Sequence, residues 1–514
     1  MLWLGILLWG LIQPPTIEFV PMYGGLGGGG PVEMNHSGCI APAERMEVQA
    51  AIRRFQAINP TVMGAPSKYP MYPQSGNLWD DLFVNNFTDI DLTSGERDYE
   101  CTNFVYNGHQ GHDSDIRSFM EQELGYPVQA VLDGQVVATR DGEFDRQTSA
   151  SGAPANYVVL WHGGDHLTYY WHLRRNSVAV SVGQMVRAGQ HLGMTASSGS
   201  STYPHLHFES WNDNNWFEPS AGACRSGSSQ WQRQTNIRRD MYLREFAMTD
   251  QHIGNYPGLP WELPRKGTFA PGQQPLYWYM IVHNLPAFSN WRFRFFRPDN
   301  TLHFDTGTYG FNNTSPYRWA WFWWFWSFST PFTGQWRIDA VFNGNVVASA
   351  PFFISNDATA GHGPPAEPTS VSLDPPIVRA DRPVALRVRM PLIRHRNYHP
   401  VTYRYQWLVN DAVVREAEHG AHSDVLPVGS FQPGDVVRGE VIVMESLGNG
   451  RGPYGAQTIV DGGDANGDGC VDDTDLAIVL SQFGLAHPPA DFNEDGVVDD
   501  TDLAIVLSAF GRGC

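Results

Sequence analysis

An H-x-G-x-D stretch, His109-Gln110-Gly111-His112-Asp113, and an H-x-H pair, His205-Leu206-His207, can together supply two imidazoles and a carboxylate to one divalent metal ion. Such a donor set leaves a fourth position for water, as open catalytic zinc sites do. In an extended strand the side chains at i and i+2 share a face, so His205 and His207 stand side by side. One can bind metal while its neighbour faces a substrate.

The elements that must position these side chains read as β-structure. Val128 to Val131, Val136 to Thr139, Tyr157 to Trp161 and Leu167 to Trp171 are short runs rich in β-branched or aromatic residues, punctuated by Asp133-Gly134 and Asp141-Gly142. No helical apolar period occurs between Val128 and Phe217. The one helix candidate beside them is Asp113 to Leu124, just ahead of the main sheet.

From about Asp98 to Phe217 the sequence resembles the lysostaphin/LytM-type zinc metallopeptidases, with motifs in family order. Gly108 to Ile116 looks like the first ligand motif, Tyr126 to Val137 like the next hairpin, and Asn156 to His162 like the strand that follows. Tyr170-Trp171-His172-Leu173 looks like the Y-x-H-L motif, Val182 to Gly193 like the paired-glycine turn segment, and Pro204 to Glu209 closes the set. The resemblance implies a single catalytic zinc on His109, Asp113 and His207, with His172 and His205 as the two non-ligand histidines. It implies His205 as the nearer acid/base and His172 as the oxyanion-side partner, with the two roles open to exchange. The implied reaction is hydrolysis of peptide bonds in peptidoglycan stems or cross-bridges, and an extracellular glycine-rich protein is a further substrate class. His112 sits between the implied ligands, and Asp115 shares a face with Asp113, either orienting a ligand or facing solvent. His162, His166 and His191 match no family requirement and read as packed or exposed.

The carboxyl terminus carries a second metal signal. Asp464, Asn466, Asp468, Asp472 and Asp475 place oxygen side chains at loop positions 1, 3, 5, 9 and 12, with Gly469 at position 6 and Cys470 at the position that ligates by its backbone carbonyl. This is an EF-hand-like calcium loop. It recurs with Asp491, Asn493, Asp495, Asp499 and Asp502, and with Val497 at the backbone position. Asp472 to Ser481 and Asp499 to Ser508 are identical, a true internal repeat, and each loop runs into a Leu-Ala-Ile-Val-Leu helix. Paired half-hands of this kind resemble a type I dockerin over 461–514. The resemblance implies two structural calcium ions and docking to a cohesin-type partner through Asp473-Thr474 and Asp500-Thr501. The plainer alternative is a calcium-stapled cap.

A chain of 514 residues implies roughly three to five domains. The net charge of −19 and the absence of a basic run argue against nucleic acid and against an anionic membrane surface. Met1 to Ile12 is too short an apolar run to cross a bilayer but fits the core of a secretory signal. This gives 1–20 as a leader, secretion as the expectation, and no transmembrane segment. Residues 21–97 read as an N-terminal segment or linker, or as a cover over the active-site groove, with a helix around Ala43 to Ile58. Five cysteines fit an oxidising compartment. Cys470 with Cys514 could close the calcium module, and Cys39, Cys101 and Cys224 leave one over.

After the metallopeptidase region at 98–225, two spacer-like stretches, 230–357 and 368–459, read as immunoglobulin-like β-sandwiches. Trp319 to Trp326 puts aromatics on both faces of a strand, one for the core and the other for sugar stacking or for packing. The expected fold is therefore mainly β: an antiparallel metallopeptidase sheet, two sandwiches and a small helical calcium module. The expected function is a secreted zinc metalloendopeptidase. Two readings stand against it: a non-catalytic cell-wall-binding or scaffold protein on the same fold, and a calcium-dependent structural surface protein.

Overall fold

The computed structural model of the chain describes residues 26–31, 38–59, 68–212, 214–253, 262–311, 313–460, 462–466, 468, 470–485, 490–492, 497–512 and 514. The expected leader 1–20 and the loop residues Asn493 and Asp495 lie outside the described residues. The fold is mainly β and divides into two compact units.

The first unit joins Arg239–His362 and Arg396–Tyr398 to the strand Leu26–Pro31. Leu26–Pro31, Tyr317–Thr330, Gly272–Leu285 and Tyr242–Thr249 form one sheet. Thr268–Phe269, Asn345–Ile354, Gly334–Phe342, Asn290–Phe296 and Leu302–Gly310 form the other. Trp278 and Trp324 of the first sheet meet Phe293 of the second at ring separations of 5.3 and 4.4 Å, so the sheets share a core. The tryptophan-rich strand spends both faces on packing: Phe322 and Trp324 are buried in that core, and Trp323, also buried, meets His252 at 4.5 Å.

The second unit carries the residues singled out above. Its principal sheet is antiparallel, in the order Phe83–Asn86, His112–Asp115, His205–Asn212, Leu167–Trp171, Tyr157–Trp161, Gly134–Arg140, Met185–Val186, with Asn215–Phe217 beside His205–Asn212. One face contributes Val158, Leu160, Tyr170, Leu206 and Phe208 to a core with Val128, Val131 and Leu192. The other contributes Val159, Trp161, Tyr169, Trp171 and Trp211 to a core with Ile40, Val48 and Ile52. Burial on both faces is why these strands read as continuous apolar runs and not as alternations. The helix Pro42–Ile58 covers the second face through Glu44, Val48 and Ile52, spaced four residues apart, with Pro42 in its first turn. Burying Val48 and Ile52 contributes roughly 1.5–3 kcal/mol each.

Three expectations change. The helix candidate Asp113 to Leu124 is a strand at His112–Asp115 followed by the helix Phe119–Leu124. Pairing with His205–Asn212 holds the first residues extended, and Ser118 caps the helix by accepting from the Glu121 N–H. Residues 68–97 do not behave as a linker: Phe83–Asn86 is an edge strand of the main sheet, and Tyr69 and Leu82 are buried. The second sandwich is not a free spacer. Ser370–Asp374, Val384–Arg389 and Ser423–Leu426 face Ala412–His419, Val401–Val409, Val436–Glu445 and Gly450–Ile459 across a shared core. It belongs to the same unit as the principal sheet described above, where Arg394 donates to Glu121 at 2.9 Å and Asn77 to the Val388 carbonyl at 2.8 Å.

The repeats give the helices Asp473–Gln482 and Asp500–Ala509. Each opens with a reciprocal capping box, Asp472 with Asp475 and Asp499 with Asp502. Val471, Val479, Val498 and Val506 fill the small core beneath them. Cys470 pairs with Cys514 and Cys101 with Cys224, which leaves Cys39 as the buried free thiol.

Candidate metal centre

The register of two neighbouring strands builds the site. His207 lies opposite Asp113, and His205 opposite Asp115, so residues far apart in sequence become cross-strand neighbours on one face. His109 enters from the loop before His112–Asp115. Gly111, between His109 and Asp113, is required sterically: a Cβ there would stand 2.4 Å from the Phe208 carbonyl oxygen and 3.0 Å from the His207 ring. The H-x-G-x-D spacing thus lets the first loop close over the second strand.

The inward atoms converge. His109 Nε2 lies 3.2 Å from His207 Nδ1 and 3.1 Å from Asp113 Oδ2, and His207 Nδ1 lies 2.8 Å from Asp113 Oδ1. Tetrahedral bonds of about 2.0–2.2 Å separate donors by roughly 3.3–3.6 Å, so these three side chains fit a zinc-sized ion after small adjustment. Further partners hold each of the three in orientation. The His109 Nδ1 is 2.7 Å from the Phe87 carbonyl, the His207 Nε2 is 2.9 Å from Glu209 Oε1, and Asn86 donates to Asp113 Oδ2 at 3.0 Å. Partners of this kind fix the tautomer and ring orientation of a ligand.

Two further imidazoles approach from the side. His172 Nδ1 is 2.6 Å from the Ser198 carbonyl and His205 Nδ1 is 2.7 Å from the Tyr203 carbonyl, which leaves both Nε2 atoms to the site. Their ring centroids are 4.5 Å apart. His172 holds φ at 66°, a left-handed conformation costly for a side chain of this size and concentrated at functional sites. Its Nε2 is buried and makes no hydrogen bond.

Burial would raise the Asp113 carboxyl, but the imidazoles of His109 and His205 hold it well below the usual carboxylate range. Burial would likewise lower His205, and the Asp113 charge outweighs it and raises that imidazole. His172 is lowered, by burial first and then by His205. The two neighbouring imidazoles are therefore pushed in opposite directions, the pattern expected of groups with different proton-transfer roles. Glu209 is buried, which opposes its ionisation, yet Arg45 holds it far below the ordinary range through bonds of 2.7 and 2.9 Å.

The site brings together His109, Asp113, His172, His205 and His207, none more than 7% exposed. His112 turns to the opposite face and binds Glu218 at 2.9 Å. Asp115 is buried and accepts from Asn85, so it does not face solvent. His162 and His166 are packed, bonded to Thr168 at 2.7 Å and Tyr69 at 2.8 Å, and His191 is half-buried. The sequence reading missed Cys39, the orienting role of Glu209, and the carbonyls of Phe87, Ser198 and Tyr203. Glu209 was within reach, because it lies two residues beyond His207 on the same strand face. In the first of the two repeated acidic loops, Asp475 accepts from the Ala465 and Asn466 N–H groups at 2.7 and 3.1 Å, and Asn466 donates to Asp468 at 2.8 Å. In the second, Asp502 accepts from the Phe492 N–H at 2.6 Å.

Residues 109–219 match the family model described as Peptidase family M23. Over 86 residues, 17% of this chain and 17% of the relative, the sequence is 38% identical to peptidoglycan DD-endopeptidase ShyA of Vibrio cholerae. Over 169 residues, 29% of this chain and 32% of the relative, it is 35% identical to lysostaphin of Staphylococcus simulans. The solved catalytic domain of that lysostaphin is 25% identical over 27% of this chain and 89% of its own length, with a TM-score of 0.18. The chain spans well under two thirds of the length of the curated relatives it matches.

Proposed function

We propose that residues 98–225 form a zinc-dependent endopeptidase that cleaves peptide bonds in peptidoglycan stems or cross-bridges outside the cell. The observation that carries this reading is the convergence of His109 Nε2, the Asp113 carboxylate and His207 Nδ1 beside the two imidazole nitrogens of His172 and His205. When bound there, a zinc ion polarises the scissile carbonyl and makes water acidic enough to attack at neutral pH. The remaining work falls to the chain. His205 Nε2 takes the proton of the attacking water and later returns it to the leaving amine. Because the Ser198 carbonyl takes the His172 Nδ1–H, His172 Nε2 donates to the oxygen on which negative charge develops only once it has itself taken up a proton, and the two roles are open to exchange. The similarity to ShyA and lysostaphin supports the substrate class.

The carboxyl-terminal repeat is read as a dockerin-like module that binds two calcium ions and docks a cohesin-type partner, and the two middle stretches as immunoglobulin-like spacers of a secreted protein. The paired loops, with their identical Asp-Thr positions, support the first part of that reading.

Full-length protein, stripped by chelation and reloaded, tests the enzyme. One zinc per chain is expected, with zinc-dependent release of new amino groups from purified peptidoglycan or pentaglycine that His205→Ala abolishes. Folded, zinc-loaded protein that releases none from either substrate, both as the wild type and with Cys39 replaced by Ala, would sink the peptidase reading. Isothermal titration with calcium is expected to give two sites, one of them lost in Asp475→Ala.

A further inference from the structure

The segment ahead of the helix Pro42–Ile58 delivers one side chain into the metal centre. Cys39 is buried and takes part in neither disulfide. Its neighbours are not those of a thiol serving as a small hydrophobe. The thiol donates to Asp113 Oδ1 at 3.6 Å and Oδ2 at 3.8 Å, lies 3.4 Å from the Tyr106 hydroxyl, and stands 4.0 Å from His205 Nε2. Cys39, His109, Asp113 and His207 each offer a donor atom, and these atoms all lie within 4.8 Å of one another. A second observation points to the same spot: Cys39, His172 and His205 also converge within that distance, and the His172 Nε2 is buried without a hydrogen-bond partner.

We propose that Cys39 is a fourth zinc ligand, occupying the position that an attacking water needs, so that this chain folds into a latent form. The inference rests on the zinc reading of His109, Asp113 and His207. A set of one thiolate, two imidazoles and one carboxylate is the closed tetrahedral arrangement of a structural zinc site, whereas a hydrolytic site keeps one position open. The thiolate is also the softest donor of the four, and zinc binds it tightly.

The helix behind Cys39 is built to hold it there. Arg45 forms a two-bond ion pair with Glu209, the same carboxylate that receives His207 Nε2. Glu44 accepts from Arg140 at 2.6 Å and from the Ala155 N–H at 3.0 Å. Ile40, Val48 and Ile52 join the core that lies on the ligand face of the sheet. The contacts that seat the segment therefore run through the outer partner of a ligand, which couples the seating of Cys39 to the orientation of His207. Withdrawal of this segment opens the fourth position and exposes the site, which in this arrangement is closed to a polymer.

Metal spectroscopy of the full-length protein tests the proposal without relying on catalysis. X-ray absorption of the zinc-loaded wild type is expected to show one sulfur scatterer at about 2.3 Å, and the cobalt-substituted protein a thiolate-to-cobalt charge-transfer band. Both signals are expected to vanish in Cys39→Ala and Cys39→Ser, with release of amino groups from pentaglycine rising at least tenfold at equal zinc content. One bound metal with no sulfur signal in the wild type overturns the inference and leaves the zinc reading standing. A sulfur signal with an unchanged rate in both variants overturns the closure. Failure of the wild type to bind either metal overturns the zinc reading and this inference with it. The wild-type spectra need no variant, so a Cys39 substitution that misfolds does not blunt the test.

Discussion

Two buried clusters in the same unit use the same kinds of side chain and come to opposite ends. His109, Asp113 and His207 form one, and Asp80, Asp81 and His422 the other. In the second, carboxylate oxygens are consumed by the chain: Asp81 accepts from the Asn77 N–H at 2.6 Å and from the His422 N–H at 2.8 Å. Burial would raise Asp80, but His422, Arg117 and Arg394 hold it down to about 2. Its negative charge is already answered by cations of the protein. In the first cluster the Phe87 carbonyl and the Glu209 carboxylate hold the outer ring nitrogens, and the inner nitrogens of His109 and His207 converge on the Asp113 carboxylate. A metal site is thus defined less by which residues gather than by which of their atoms are left over.

Breaking each cluster separates them most sharply. His109→Ala or His207→Ala is expected to abolish stoichiometric zinc binding and to cut peptide hydrolysis at least a thousandfold, a loss of about 4 kcal/mol in transition-state stabilisation. Asp81→Ala is expected to leave one zinc per chain and to cost roughly 3 kcal/mol of unfolding free energy, because it leaves buried partners unpaired. Equilibrium dialysis and chemical denaturation read the two effects separately. Loss of zinc from Asp81→Ala would erase the distinction. A smaller effect sharpens it: Glu209→Gln keeps the shape of the side chain but removes the charge that steadies His207 Nε2. Zinc affinity is expected to fall ten- to hundredfold, with the ligands themselves intact. A competition titration that shows wild-type affinity would deny Glu209 that part.

The inner half of the site was legible from the sequence, and the outer half mostly was not. His109, Asp113, His172, His205 and His207 carry their meaning in side-chain type and spacing, and strand periodicity already sets His205 beside His207. The strand runs from Tyr157 to Trp161 and from Leu167 to Trp171 were equally plain, because burial on both faces demands unbroken apolar residues. The partners of these histidines are backbone carbonyls at Phe87, Ser198 and Tyr203, and any residue type supplies a carbonyl. Cys39 was visible only as an odd cysteine. What gives it meaning is a tertiary contact, the docking of Pro42–Ile58 on the ligand face; a helix there and a cover over the groove were among the expectations, but not which side chain the cover would carry into the site. The helix expected from Asp113 failed for the same reason: pairing with a strand far along the chain outweighed the local pattern.

A third kind of buried histidine completes the comparison. His162 has neither a metal-facing lone pair nor a carboxylate partner. Its Nδ1 is 2.8 Å from the Asp133 carbonyl and its Nε2 is 2.7 Å from the Thr168 hydroxyl. Burial lowers it to about 3, against an unfolded value near 6.5. Below pH ~6.5 the unfolded chain takes up a proton here that the folded chain refuses. The stability tied to the neutral ring is therefore complete above that pH and drains away as the pH falls toward about 3. His162→Gln, which can still donate and accept, removes this contribution. Its unfolding free energy should lie below that of the wild type at pH 7, with the gap closing by about 1.4 kcal/mol for each pH unit below 6.5. Zinc and the ligand histidines are common to both proteins, so their own titration cancels in the difference. Parallel curves from pH 7 to 5 would mean that His162 is protonated in the fold, and that burial without a carboxylate does not suffice to keep an imidazole neutral here.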